Sequence, residues 1–199
     1  MSRTRSPTIH PACVRLIHWI NAGATLVMIL SGWQIHNAYP ILPFAIPAWM
    51  TLGGWLGGAL LWHFAAMWVL AANGVIYLAY GLVSGRFRRK LLPLSMAALA
   101  SDLRAAFRGR LSHADLSRYN AVQRFSYVGV LVLLALTILS GIAIWKPVQF
   151  DTLSTLFGGF QGSRLVHFFA MVGIVAFLLM HVAMSLLAPR SLLAMVRGR

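Results

Sequence analysis

Four stretches of the chain, at about 14–35, 55–82, 125–145 and 165–187, are apolar over lengths that reach or pass the roughly 20 residues a helix needs to cross a bilayer. Polar, turn-forming segments separate them. The first gap opens with His36-Asn37-Ala38-Tyr39-Pro40 and continues through Pro43 and Pro47, while Trp49 and Trp55 suit the headgroup level. The last gap holds Lys146-Pro147 and the glycine-rich run Gly158-Gly159-Phe160-Gln161-Gly162. The long middle gap, 85–124, is basic, and within it 91–107 mixes Leu and Met with Arg, as in an amphipathic helix lying in the interface. Asp102 and Arg104 make that segment a poor spanning helix. The pattern predicts an all-α integral membrane protein, a four-helix transmembrane bundle with an amphipathic interfacial segment between helices two and three. No low-complexity region or repeat stands out.

Composition sharpens this picture. Hydrophobic residues make up 59% of the chain and charged residues 10%, against about 25% charged in soluble domains. The net charge of +14 would suit a nucleic-acid binder, but the basic residues cluster at the ends of apolar stretches, where membrane insertion places them. The expected partner is therefore the lipid bilayer and not nucleic acid. Fifteen basic residues fall at the N-terminus, in the middle connector and after Leu187, against Lys146 and Arg164 in the two shorter connectors, so both termini are expected to be cytoplasmic. The first apolar stretch lacks a small-residue cleavage site and reads as a retained helix. Cys13 is the single cysteine, which excludes an internal disulfide and leaves thiolate-based metal centres without ligands.

Four histidines, His18, His63, His167 and His181, fall inside the apolar stretches. One alone would be read as a buried imidazole bonded to a backbone carbonyl; four at membrane depth, where ionisable groups are costly, point to a site. With helices alternating in direction, His18 and His181 lie near the cytoplasmic side, and His63 and His167 in the outer halves. His167 and His181 are fourteen residues apart, about 21 Å along one helical face, so one helix can serve two stacked cofactors. Paired imidazoles suit haem iron, whose porphyrin fills the other four positions, whereas zinc and copper sites recruit further ligands. The three acidic residues, Asp102, Asp115 and Asp151, all lie outside the spans. Arg15 and Arg164 each precede a histidine by three residues, on the same helical face, where a guanidinium can pair with a haem propionate or simply snorkel. Gly32, Gly129, Gly141 and Gly173 would allow close approach of a macrocycle or a helix. His36, His10 and His113 read as solvated.

These features together resemble the bacterial cytochrome b561 family. The carriers are Arg15-Leu16-Ile17-His18-Trp19, Ser31-Gly32, His63, Tyr119-Asn120-Ala121-Val122-Gln123-Arg124, Gly141-Ile142-Ala143-Ile144-Trp145-Lys146-Pro147 and the His167/His181 spacing. Within that family the likeness is to the di-haem membrane subunits of formate dehydrogenase, nickel–iron hydrogenase and related periplasmic oxidoreductases. It implies one di-haem cytochrome b domain over 1–199 in the bacterial inner membrane, with His18 and His181 on an inner haem b and His63 and His167 on an outer one. It further implies a quinone site near Asn120, the backbone around Val122, Gln123 and His181, although Asn120 and Gln123 also suit a helix cap. His63-Phe64-Ala65-Ala66-Met67 with Ser84-Gly85-Arg86-Phe87-Arg88-Arg89 looks most like subunits that accompany molybdopterin oxidoreductases of the sulfite-oxidase type. The expected function is electron transfer between such a periplasmic subunit and quinone. The alternatives are a stand-alone superoxide:quinone oxidoreductase and a haem-free transporter or membrane anchor.

Overall fold

The computed structural model describes residues 11–85, 87–88, 93–107, 121–187 and 189–198. It is helical among those residues: α1 (Ala12–Ala38), α2 (Leu56–Val83), α3 (Met96–Phe107), α4 (Ala121–Trp145), α5 (Asp151–Leu156), α6 (Gly159–Leu187) and α7 (Pro189–Arg197). Four of these, α1, α2, α4 and α6, have 27, 28, 25 and 29 residues and are long and apolar enough to cross a membrane. At 1.5 Å per residue they are roughly 38–44 Å long, which exceeds the roughly 30 Å hydrocarbon core and carries their ends to the headgroups. Large apolar side chains such as Leu61, Leu82 and Val83 are exposed, as lipid-facing positions must be in a protein whose solvent is hydrocarbon.

The chain divides into two compact units, Met1–Ser84 with Ala188–Arg199, and Gly85–Leu187. In the first, α1 and α2 form an antiparallel hairpin closed by the proline-rich connector. That connector is pinned to the end of α1: the Asn37 side-chain amide donates to Ile46 O and its carbonyl accepts from Ile46 N, both at 2.8 Å, and Leu52 N donates to Leu30 O at 3.0 Å. Gly53 (φ +109°) makes the turn into α2, where a Cβ would run into the Ala59 backbone. The same connector lays Phe44 over His36, with ring centroids 5.3 Å apart. His36 is thereby buried, correcting the expectation of a solvated side chain. His10 and His113 lie outside the described residues.

The C-terminal α7 belongs to this unit too. Trp19 Nε1 donates to Met195 O at 3.5 Å, and Arg15 Nη1 donates to Val196 O at 3.1 Å, placing a cation on the negative end of the α7 dipole. Gly198 (φ +85°) ends the helix with its N–H bonded to Ala194 O at 2.9 Å.

In the second unit α4 and α6 form the hairpin. The basic connector supplies α3, which begins later than the predicted segment and is capped by Ser95 Oγ on Ala98 N at 3.3 Å. Asp102 accepts from Ala121 N at 2.7 Å, a carboxylate on the positive end of α4, and Arg124 Nη1 donates to Pro93 O at 3.1 Å. Helix α4 therefore starts four residues before the predicted span. Helix α6 starts six residues early, because only Gly158 and Gly159 adopt positive φ and the rest of the glycine-rich run is helical. A short helix, α5, occupies part of the last connector.

Candidate functional site

Each hairpin has a connector end and an open end, and histidine marks both. At the connector end of the first unit, His63 on α2 faces Ser31 and Gly32 on α1. Ser31 Oγ lies 3.0 Å from His63 Nδ1. A Cβ placed on Gly32 would stand 3.6 Å from His63 Cε1, so the missing side chain leaves room for the ring.

The second unit repeats the arrangement with different residues. His167 on α6 faces Ser140 and Gly141 on α4, with Ser140 Oγ 3.2 Å and Thr137 O 2.9 Å from His167 Nδ1. A Cβ on Gly141 would come within 3.1 Å of His167 Cε1. Both serines are fully buried. The tetrads that carry them are identical, Ile29-Leu30-Ser31-Gly32 and Ile138-Leu139-Ser140-Gly141. The spacing also recurs. His18 and Tyr127 each precede their serine by thirteen residues, and Tyr77 and His181 each follow their connector-end histidine by fourteen. The hairpins thus share one pattern that sequence reading passed over, since four ordinary letters inside long apolar runs do not announce a repeat.

The open ends diverge. In the first unit the buried Asn73 of α2 donates to Ile17 O at 2.8 Å and to Asn21 Oδ1 at 2.7 Å, joining the helices one turn from His18. His18 meets the edge of Trp19, centroids 5.2 Å apart. In the second unit Phe177 stacks on His181 (5.7 Å, 11° between planes) and receives Tyr127 edge-on at 6.5 Å.

The remaining expected residues are placed as follows. Arg15 is held on the end of α7, yet its buried Nε has no hydrogen-bond partner among the described residues. Arg164 Nη1 donates to Gln161 Oε1 at 2.8 Å. Gln123 is exposed in the first turn of α4, and Asn120 lies outside the described residues. Of the four glycines, Gly32 and Gly141 clear space for imidazoles, and Gly173 admits Leu133 from α4 (3.0 Å to a built Cβ). Gly129 faces open space.

Chemically, this is a scaffold that offers single imidazoles rather than ligand clusters. Among the described residues no three His, Cys, Asp or Glu side chains come together, which leaves zinc or copper short of ligands. A porphyrin brings its own four donors and asks the protein only for axial imidazoles, so the residues present fit haem. Spanning helices carrying such imidazoles define a class: multi-pass membrane cytochromes that bind b-type haem and transfer electrons. The profile described as prokaryotic cytochrome b561 matches residues 9–198, and the chain belongs to that family, in the bacterial inner membrane. It is similar to a putative protein-methionine-sulfoxide reductase subunit, YedZ1, of Azospira oryzae, with 52% identity over 190 residues, 96% of each chain. No solved structure matches it.

Proposed function

We propose that the chain carries electrons between quinone and a periplasmic oxidoreductase subunit, through two b-type haems ligated by His18 with His181 and by His63 with His167. The observation that carries the reading is the repeated Ser-Gly/His arrangement. It prepares two imidazoles in one manner, each near the connector end of its hairpin, and the charge bias supports connector ends on the periplasmic side and both termini in the cytoplasm. His18 and His181, near the open ends, then belong to the cytoplasmic side. The open Nε of Arg15, three residues from His18, supports an anionic neighbour such as a propionate, and Arg164 stands in the same relation to His167. Asn120, Gln123 and His181 are the proposed quinone contacts, on the resemblance given above.

The oxidoreductase partner is proposed to be a molybdopterin subunit, on the resemblance given above, and to act on methionine sulfoxide in proteins, as the relative's description suggests. Reducing a sulfoxide to a thioether and water takes two electrons and two protons, the same numbers a quinol releases on becoming a quinone. When bound, haem supplies a one-electron couple; the protein supplies axial ligands, orientation and a tuned environment.

The purified chain should show a b-type reduced-minus-oxidised spectrum, two haems per polypeptide and bis-imidazole paramagnetic resonance signals. A chain free of haem after expression with adequate haem supply would end this reading. Reoxidation of quinol-reduced haem by a methionine-sulfoxide protein, requiring the partner subunit, would support the substrate assignment. Rapid haem reduction by superoxide in the isolated chain would favour the stand-alone oxidoreductase instead.

A further inference from the structure

We propose that Ser31 and Ser140 are positioning residues that fix the tautomer and donor strength of His63 and His167, an inference that rests on those imidazoles being axial haem ligands. A serine hydroxyl has one proton to give. At Ser31 it goes to a helix carbonyl, since Oγ lies 2.6 Å from Val27 O and 3.2 Å from Met28 O, and carbonyls only accept. Towards His63, 3.0 Å away, the same oxygen therefore acts as acceptor, and Nδ1 must hold the proton.

His167 leads to the same result twice. Thr137 O, at 2.9 Å, can only accept, and Ser140 Oγ has its proton directed to Leu136 O at 2.6 Å. Nδ1–H on both rings leaves the Nε2 lone pair as the ligating atom. Full burial of both hydroxyls keeps water from competing for these bonds.

The bland role of such a hydroxyl is back-bonding to the preceding turn, as Thr137 does to Leu133 O and Ser163 does to Gly159 O. Ser31 and Ser140 differ in also meeting an imidazole and in being followed by the glycine that clears space for it. Two occurrences of the same tetrad on two helices make coincidence a poor account.

An acceptor on the distal nitrogen raises the basicity of a ligating imidazole, which favours ferric over ferrous iron and lowers the potential of the haem it holds. Ser31→Ala and Ser140→Ala, in the haem-loaded full chain, should raise the midpoint potential of the haem ligated by His63 and His167, with the other haem unmoved. The shift should be smaller for Ser140→Ala, because Thr137 O still holds the His167 proton. Ser31→Thr, which keeps the hydroxyl, should restore the wild-type potential. Alanine variants with both haems and unchanged potentials would overturn the assignment. Should an alanine variant not fold, the nitrogen-15 resonance of His63 in the dithionite-reduced wild-type chain decides: an Nδ1–H shift of a free N–H overturns the assignment, and the shift of an N–H bonded to a hydroxyl oxygen supports it. The underlying ligand reading fails separately, if His63→Ala and His167→Ala retain both haems.

Discussion

The two hairpins are alike at the connector end and unlike at the open end, and the contrast separates what the fold repeats from what it individualises. At the connector end each presents a histidine to a Ser-Gly step with nearly the same distances. At the open end, the first hairpin carries its imidazole on its first helix, as His18, and Tyr77 on its second. The second hairpin reverses this, with Tyr127 on its first helix and His181 on its second. The position one turn before the second residue is Asn73 in one hairpin and Phe177 in the other, so a polar clamp in the first becomes an aromatic stack in the second. One level of the pattern is thus duplicated, and the other has been specialised by exchanging single side chains on a conserved spacing.

The likeness at the connector end breaks first under added bulk. A methyl on Gly141 would sit 3.1 Å from His167 Cε1, tighter than ordinary packing, whereas on Gly32 it would meet His63 Cε1 at a comfortable 3.6 Å. Gly141→Ala should therefore lose haem and cost about 1–3 kcal/mol as an overpacked site, and Gly32→Ala less than about 1 kcal/mol. Haem content and thermal unfolding in detergent would measure both, and equal losses would remove the distinction.

A smaller effect belongs to the first hairpin alone, where α7 is fastened. Gly198→Ala forces a left-handed backbone on an L side chain and presses it against Arg15 Nη1, 2.7 Å from the built Cβ. The cost should be about 1 kcal/mol, confined to α7 and visible as faster amide exchange there. The smallest expected quantity is the pairwise coupling at the polar clamp. Asn73→Leu removes two hydrogen bonds inside the bilayer, each of a kind that measures about 0.6 kcal/mol on average. A double-mutant cycle with Asn21→Ala should return a coupling of that order, and a coupling of zero would show that the clamp adds nothing.

The spans were legible because a bilayer demands long apolar runs, and all four predicted helices are present with ends shifted by at most six residues. The largest shift, at α6, arose from treating Gly162 as a turn residue, when a Cβ there would collide with the Phe157 carbonyl and glycine serves close packing instead. The four histidines were legible because imidazoles at membrane depth are costly. Asn73 lies at membrane depth too, but an amide is not ionisable and so marks itself less sharply in the sequence. Other contacts lie beyond local reading. The burial of His36 depends on Phe44 folding back from a connector whose prolines suggested solvent. The seat of Arg15 is made by Val196, 181 residues away. Ser31 stands out in the sequence only as part of a family resemblance and Ser140 not at all, because back-bonding hydroxyls are common in membrane helices, and only the ring opposite reveals a second role.

The central claim is that His63 and His167 serve one haem while His18 and His181 serve the other. It is tested most directly by redox-resolved spectra of the four single histidine-to-alanine variants in folded protein. The account predicts that His63→Ala and His167→Ala remove the same spectral component, and that His18→Ala and His181→Ala remove the remaining one, each variant halving the haem-to-protein ratio. If His18→Ala and His63→Ala instead remove the same haem and spare the other, the pairing is contradicted, together with the electron route built on it.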